Sequence, residues 1–437
     1  MQKKKDIKNF FALCLWMLIQ SVYLLIRMNI VSVHNVDINI LGQMEWFDLM
    51  DEIITTAFIT PLYYLLKRKD SGKNGFSFII SFGVYFFFTA LISSYIGNIS
   101  AFMNAEYAKE YLLMQSISML IAFIGVFMNL LFIIYDEYKI IVLLTVIKLL
   151  LLSLFDYLLI PVFKDLGASY SEIIVNSSLA ILSIIFVLKR KYISFAVCNR
   201  EFILLWTKIG FFSGLQIFLD NFIYALIVCR MVNAVSASGD YWIANNFIWG
   251  WLLVPIVCLA QIIQKNSLKK VTFQYVWKYV CVIMLVWTVT IPFWRFFIHD
   301  IMGINNDRNI LNILYILVPY YLCYNIAAMI DAWFVSIGKT IYLFLNSVIV
   351  NIVYYGIMYA LFKAGAFHLS IYFIIHLFGL GMVVHMLISI LLYFKETHNS
   401  SSAALPVMPA ASDLINSTDV SKQIENLVSL KGNGIIT

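Results

Sequence analysis

Runs of about twenty or more mainly apolar residues recur from residue 10 to residue 394, separated by short polar connections. A helix crossing a bilayer needs roughly 20 such residues, since each adds about 1.5 Å through an apolar layer about 30 Å thick. By that measure spans fall near 10–33, 47–66, 76–97, 111–134, 139–163 and 170–188, then near 202–232, 241–264, 275–298, 309–337, 341–362 and 370–394. The count is twelve. Hydrocarbon offers no water to backbone polar groups, so repeated spans of this length predict an all-α polytopic membrane protein. Charge usage agrees: charged residues are 12% of the chain and apolar ones 62%, where a soluble domain carries about 25% charge to cover its surface.

The distribution of Lys and Arg orients the spans. One set of connections carries Lys3, Lys4, Lys5, Lys8, Lys67, Arg68, Lys69, Lys73, Lys139, Lys189, Arg190, Lys191, Arg200, Lys265, Lys269, Lys270, Lys339 and Lys395. The opposite set carries only Lys109, Lys164, Arg308 and Lys363. Eighteen against four places the first set in the cytoplasm, with both chain ends, and the protein in a cell (inner or plasma) membrane. The basic stretch Met1–Lys8 precedes an apolar run longer than a signal-peptide core, so it reads as a retained first helix.

Two halves can be laid over each other. Lys139 and Lys339 precede spans five and eleven, 200 positions apart, and Phe163-Lys164 and Phe362-Lys363 close them at an offset of 199. Ser171 and Ser370 repeat that offset, and Pro61 and Pro255 lie 194 apart in spans two and eight. The expected organisation is a six-helix lobe over 1–195, a second over 196–395, related by a pseudo-two-fold axis along the membrane normal. A Ser-, Ala- and Pro-rich cytoplasmic tail, 396–437, is expected to be mostly disordered, with one short helix over 421–430. Pro61, Pro255 and Pro292 are expected to interrupt spans two, eight and nine.

Chemistry should reside where ionisable groups stand in apolar sequence, at an insertion cost of about 2.5–3.5 kcal/mol each. The acids are Asp156 in span five, Asp220 in span seven and Asp331 in span ten, and the bases are Arg27, Lys148 and Arg230. Lys148 and Asp156 are eight residues apart and share a helix face, at about 12 Å of rise. They line a common polar stripe, or are neutralised separately by neighbouring helices. A carboxylate in hydrocarbon is pushed toward its neutral form by desolvation and toward its charged form by a bound cation. A cation-driven transporter uses that competition; a helix-to-helix hydrogen bond is the simpler use. Asp48, Asp51 and Glu52 cluster at the start of span two, where a helix N-terminus favours negative charge, and Asn245 and Asn246 take the places of Asp51 and Glu52 in the second half.

No nucleotide loop, nucleophile triad or metal-ligand cluster stands out, so catalysis, cofactors and metals find no support, nor does nucleic-acid binding. His376 and His385 in span twelve are nine residues apart, a poor metal spacing. The six cysteines are scattered without a CxxC pair and read as small apolar residues.

Three motifs carry a family resemblance. Leu152-Ser-Leu-Phe-Asp156-Tyr-Leu-Leu-Ile160 runs into Leu166-Gly-Ala168, Asp220-Asn-Phe-Ile-Tyr224 lies in span seven, and Asp331-Ala-Trp-Phe334 precedes Gly338-Lys339-Thr340. Together with twelve spans in two like-oriented halves, they resemble the multidrug and toxic compound extrusion (MATE) family and its wider superfamily (MOP), which also contains flippases for lipid-linked sugars. The resemblance implies two lobes around a central cavity, and export of organic cationic or amphipathic compounds in exchange for H⁺ or Na⁺ by a monomer. Carried over by helix, Asp220 and Asp331 are the expected coupling residues, with Asp156 next and Asn221, Asn245, Asn246 and Lys148 as polar support. Span eight departs from the family pattern in offering Asn245 and Asn246 but no acid, and span one has Arg27 where other members have an acid. In the flippase alternative, Arg27 and Arg230, with Lys148, would contact an anionic diphosphate.

Overall fold

A computed structural model describes residues 2–402, apart from 69–72, 136, 198, 266–272, 306, 338 and 340. The expected helix over 421–430 and most of the tail lie outside the described residues. The chain is helical almost throughout. The first half consists of α1 (Gln2–Val33), a single turn α2 (Ile38–Leu41), α3 (Met44–Arg68), α4 (Asn74–Phe102), α5 (Lys109–Ile134), α6 (Tyr138–Phe163) and α7 (Asp165–Lys189). The second half begins with α8 (Arg200–Ile223), which passes through a π-helical stretch, Tyr224–Cys229, into α9 (Arg230–Ala234). Next come α10 (Ser238–Phe247), a π stretch at Ile248–Leu252, and α11 (Val254–Lys265). Then α12 (Phe273–Phe296) ends in a π stretch at Phe297–Ile301, and α13 (Asp307–Ser336) follows. The last elements are α14 (Ile341–Val348), a π stretch at Ile349–Tyr354, α15 (Tyr355–Lys363) and α16 (Ile371–Ser402). All four π stretches among the described residues belong to the second half.

Among the described residues nine helices are long and apolar enough to cross a membrane, or ten if a bent pair counts as one span. The count of twelve is reached only by adding α1, which contributes the shorter apolar stretch Ser21–Val33, and α3, whose first turns carry Glu45, Asp48, Asp51 and Glu52. The bent pair, Ser238–Leu252 and Val254–Ala260, turns by 53°. Pro255 stands in the first turn after that break, where a missing N–H costs nothing. Pro61 and Pro292 lie inside continuous helices, so only one of the three expected interruptions occurs.

Helix α6 shows how lipid replaces water as solvent. Leu150, Leu154, Leu158 and Val162, on one stripe, are 61%, 51%, 51% and 68% exposed, while Leu152, Asp156 and Ile160 on the opposite face are 3%, 0% and 0% exposed. The apolar face looks outward and the polar residue inward, the reverse of a soluble amphipathic helix. The chain is a multi-pass membrane protein.

Within the first half α5 packs on α7, α6 on α7 and α4 on α5, and within the second α13 packs on α16 and α11. Between the halves α3 lies along α8, and α1 lies along α11 and the π stretch before it. The first seam is close: Trp206 donates to the Phe58 carbonyl at 3.0 Å. A methyl on Gly210 would stand 2.2 Å from the Ala57 carbonyl oxygen, so glycine is what lets these helices touch. In the second seam the Ser21 hydroxyl donates to the Gly250 carbonyl at 2.7 Å. Helix α16 runs seven residues past Lys395, held by Lys339, whose Nζ is 2.6 Å from Glu396, and by Tyr342, 3.0 Å from the same carboxylate.

Candidate functional site

Three clusters of buried or half-buried polar residues surround the acids set in the apolar spans. In the first half Asp156 on α6 is fully buried and meets Arg27 of α1 through two bonds, Nε to Oδ2 at 2.8 Å and a terminal nitrogen to Oδ1 at 3.2 Å. Arg27 also donates to Glu172 of α7, and Tyr23 donates to Asp156 at 3.1 Å. A forked guanidinium between two carboxylates satisfies all three charges locally. Lys148 is not the partner of Asp156; among the described residues it makes no ion pair, and its nearest charges are Glu172, Arg27 and Asp48. A small, partly open pocket in the same half is lined by Phe47, Met50, Asp51, Tyr85, Ile92 and Met119 among others. The Tyr85 hydroxyl donates to Asp51 at its edge.

The second cluster joins α8, α13, α14 and α16. Asp220 accepts from Ser347 and Asn351, both at 2.5 Å. Asp331 accepts from the Ser389 hydroxyl at 2.9 Å on one oxygen and from His385 Nε2 at 2.7 Å on the other. Asn346 donates to Ser389 at 2.8 Å and to the His385 carbonyl at 3.2 Å. Asn346 and Ser347 sit about one turn before Asn351 in one helical run, and His385 one turn before Ser389 in another. The charges of Asp220 and Asp331 both act on His385. The two acids chosen from the sequence thus share one polar island, while Asp156 stands apart in the other half.

The third cluster lies between the halves. Glu45, second residue of α3, accepts from Tyr224 at 2.8 Å and from Asn245 Nδ2 at 2.6 Å. Tyr321 donates to Asn245 Oδ1 at 2.9 Å, Trp249 Nε1 donates to the Tyr321 oxygen at 3.2 Å, and Tyr241 lies 2.9 Å from the Tyr224 hydroxyl. Rings continue outward from these polar tips: Tyr224 meets Phe378 at 5.2 Å between centroids, and Trp249 meets Tyr324 at 5.6 Å.

One end of the bundle is closed directly beside Glu45. Gln43, fully buried, donates to Asn233 Oδ1 at 3.0 Å and to Ser238 Oγ at 3.0 Å, and receives Asn233 Nδ2 at 2.9 Å and Trp46 Nε1 at 2.7 Å. Asn39 accepts the Gly239 N–H at 2.9 Å. Backbones touch here: a methyl on Gly42 would stand 2.7 Å from the Ser238 carbonyl oxygen, and one on Gly239 would stand 2.8 Å from the Ile38 carbonyl carbon. Arg230 lies over the Phe102 ring at 4.1 Å, across the same divide.

Of the expected supporting residues, none bonds to the three acids. Asn221 donates to Glu52 at 2.8 Å across the α3–α8 seam, Asn246 donates to the Trp242 carbonyl at 2.9 Å, and Asn245 serves Glu45. The partners that the sequence reading did not assign are Glu172, His385, Ser347, Asn351 and Ser389, and Glu45 was passed over in favour of its acidic neighbours. The signal present was polar residues three to four apart inside apolar runs. No group of three or more His, Cys, Asp or Glu among the described residues could hold a metal ion.

No protein-family model matches the sequence, and no curated protein matches it. Solved structures do match in shape. An inward-facing multidrug-resistance MATE family transporter of the MOP superfamily superposes with a TM-score of 0.72 at 15% identity, over 88% of this chain and 95% of that one. The chain has the MATE fold. A MATE in the bent conformation gives a TM-score of 0.62 at 17% identity over 92% and 97% of the two chains. A MOP superfamily transporter from Pyrococcus furiosus, described by the reverse polarity of its binding pocket, gives 0.61 at 15% over 91% and 97%. The MATE fold resemblance read from the three motifs therefore holds along nearly the whole chain.

Proposed function

We propose that this protein is a secondary active exporter of organic cationic or amphipathic compounds, driven by exchange for a proton and working by alternating access between its halves. The observation that carries the reading is the island of Asp220, Asp331 and His385, held among Ser347, Asn351 and Ser389 inside a membrane-spanning bundle. Acids persist at such a depth where a cation visits them. Both oxygens of Asp331 face hydrogen-bond donors, an imidazole N–H and a hydroxyl, whereas hard metal cations are held by several oxygens. That donor-rich surrounding favours H⁺ over Na⁺. The Lys and Arg distribution puts the closed end outside, so this conformation is shut to the exterior.

The flippase alternative needs free cations for a diphosphate. Arg27 is already committed to Asp156 and Glu172, so among the three candidate cations only Lys148 and Arg230, which lies on the Phe102 ring with its Nε unpartnered, remain for it. The exporter is the better supported reading. In proteoliposomes, a pH gradient should drive ethidium transport by the wild type, and Asp331→Asn should abolish it while the thermal transition in detergent persists. Undiminished pH-driven transport by Asp331→Asn would overturn the role of that carboxylate.

A further inference from the structure

Two thiols and a thioether meet where α1 lies along α11. Cys258 Sγ donates to Met17 Sδ at 3.4 Å, and the Cys258 and Cys14 thiols are in hydrogen-bond contact with each other. Cys258 is fully buried, and Met17 and Cys14 are 6% and 9% exposed. Cys14 and Met17, three residues apart, share one face of α1. The seam runs antiparallel: Ser21 holds the Gly250 carbonyl, and earlier on α1 Met17 and Cys14 reach Cys258, later on the other side. Cys14 stands six residues after Lys8 and Cys258 seven before Lys265, so each lies about 9–10 Å of helix from a basic end. Both thiols are therefore at one depth.

A single thiol in an apolar interior is ordinarily a small packing residue. Three sulfurs converging from two halves are a ligand set. His, Cys, Asp and Glu alone assemble no metal-holding group among the described residues, and the third donor here is a thioether. That donor selects the ion. Zn²⁺ takes four ligands from thiolate, imidazole and carboxylate, whereas thiolate with thioether suits soft, monovalent Cu(I). Metal–sulfur bonds of about 2.3 Å set the sulfurs around a three-coordinate ion roughly 4 Å apart. The 3.4 Å contact has to widen by only about 0.6 Å, which the unbranched Met17 side chain allows. On binding, one thiol gives its proton to solvent, and the thiolate formed offsets the single charge of the ion. The filled site is then neutral, as an apolar surrounding requires.

We infer that Cys14, Met17 and Cys258 form a binding site for a soft monovalent metal ion, of the Cu(I) or Ag(I) class, bridging the two halves at the α1–α11 seam. Filled, the site ties the segment that follows the 53° bend to the first helix. The test uses the full chain in detergent with Cys198, Cys229, Cys281 and Cys323 changed to serine, under anaerobic reducing conditions. Cu(I) is the probe and bicinchoninate its competitor. One equivalent should bind, and equimolar Zn²⁺ should not displace it. Cys258→Ser and Cys14→Ser should each weaken binding by about a hundredfold or more, since loss of a supporting partner alone costs about 10- to 100-fold. Copper X-ray absorption should count three sulfurs in this parent and two after Met17→Leu. Cu(I) should raise the thermal transition of the parent and leave that of Cys14→Ser where it is without metal. No binding at one equivalent, displacement by Zn²⁺, unchanged affinity in a folded Cys14→Ser or Cys258→Ser variant, or three sulfurs retained by Met17→Leu overturns the inference.

Discussion

Gly42→Ala should act as a wedge at the closed end. Its added methyl would sit 2.7 Å from the Ser238 carbonyl oxygen and 3.0 Å from the Gly239 nitrogen, both backbone atoms that cannot rotate away. Carbon and oxygen settle no closer than about 3.3 Å, so the two segments must part by roughly 0.6 Å. Three bonds cross that gap, from Gly239 to Asn39, Ser238 to Asn39 and Gln43 to Ser238. At about 1 kcal/mol net for each, weakening them lifts the closed state by about 2–3 kcal/mol, or roughly 30- to 150-fold in the ratio of open to closed. Cys229, 3% exposed, directly precedes Arg230 at this closed end and reports the opening. With the other cysteines changed to serine, its alkylation by a charged, membrane-impermeant maleimide should accelerate by that factor. Gly239→Ala should do the same, and the double variant should fall short of additivity because both wedges force one movement. An unchanged alkylation rate in Gly42→Ala, with the protein folded, would refute the part given to these glycines in closing that end.

Asp156→Asn should destabilise the protein by about 3–5 kcal/mol, because Arg27 would keep only Glu172 in a buried setting. Thermal unfolding in detergent tests this, and Arg27→Met combined with Asp156→Leu and Glu172→Gln, which removes all three charges together, should recover most of the loss; a triple variant as unstable as Asp156→Asn would contradict the pairing. Trp206→Phe should cost about 1–2 kcal/mol by deleting its bond to the Phe58 carbonyl across the α3–α8 seam, visible as a lowered transition temperature.

Helix positions were legible because hydrocarbon imposes a length. The second span, expected at 47–66, is Met44–Arg68, and the fifth, expected at 139–163, is Tyr138–Phe163. The end of α16 was not, because the bond from Lys339 to Glu396 that carries the helix past Lys395 joins positions 57 apart in sequence. The same limit hid the partner of Asp156. Helical spacing left open a stripe shared with Lys148 or separate neutralisation by neighbouring helices, and it could not say that Arg27, 129 residues away, is the group that neutralises Asp156. Asp220 and Asp331 stood out as acids in apolar runs, but nothing local says that Asn351 and His385 face them. Glu45 was obscured by richer company, since Asp48, Asp51 and Glu52 follow within a few residues.

The four π-helical stretches give the second half a mechanical property that the first lacks among the described residues. A π turn holds one surplus residue, and moving that surplus along a helix rotates the intervening side chains by about 100° without shifting either end. Tyr224, Trp249 and Asn351 all lie within such stretches. These three groups can therefore be re-aimed by slippage inside a helix while the connecting loops stay still. Staples placed between adjacent loops of the second half should leave such slippage free, whereas a lactam bridge spanning Tyr224–Cys229 should freeze it.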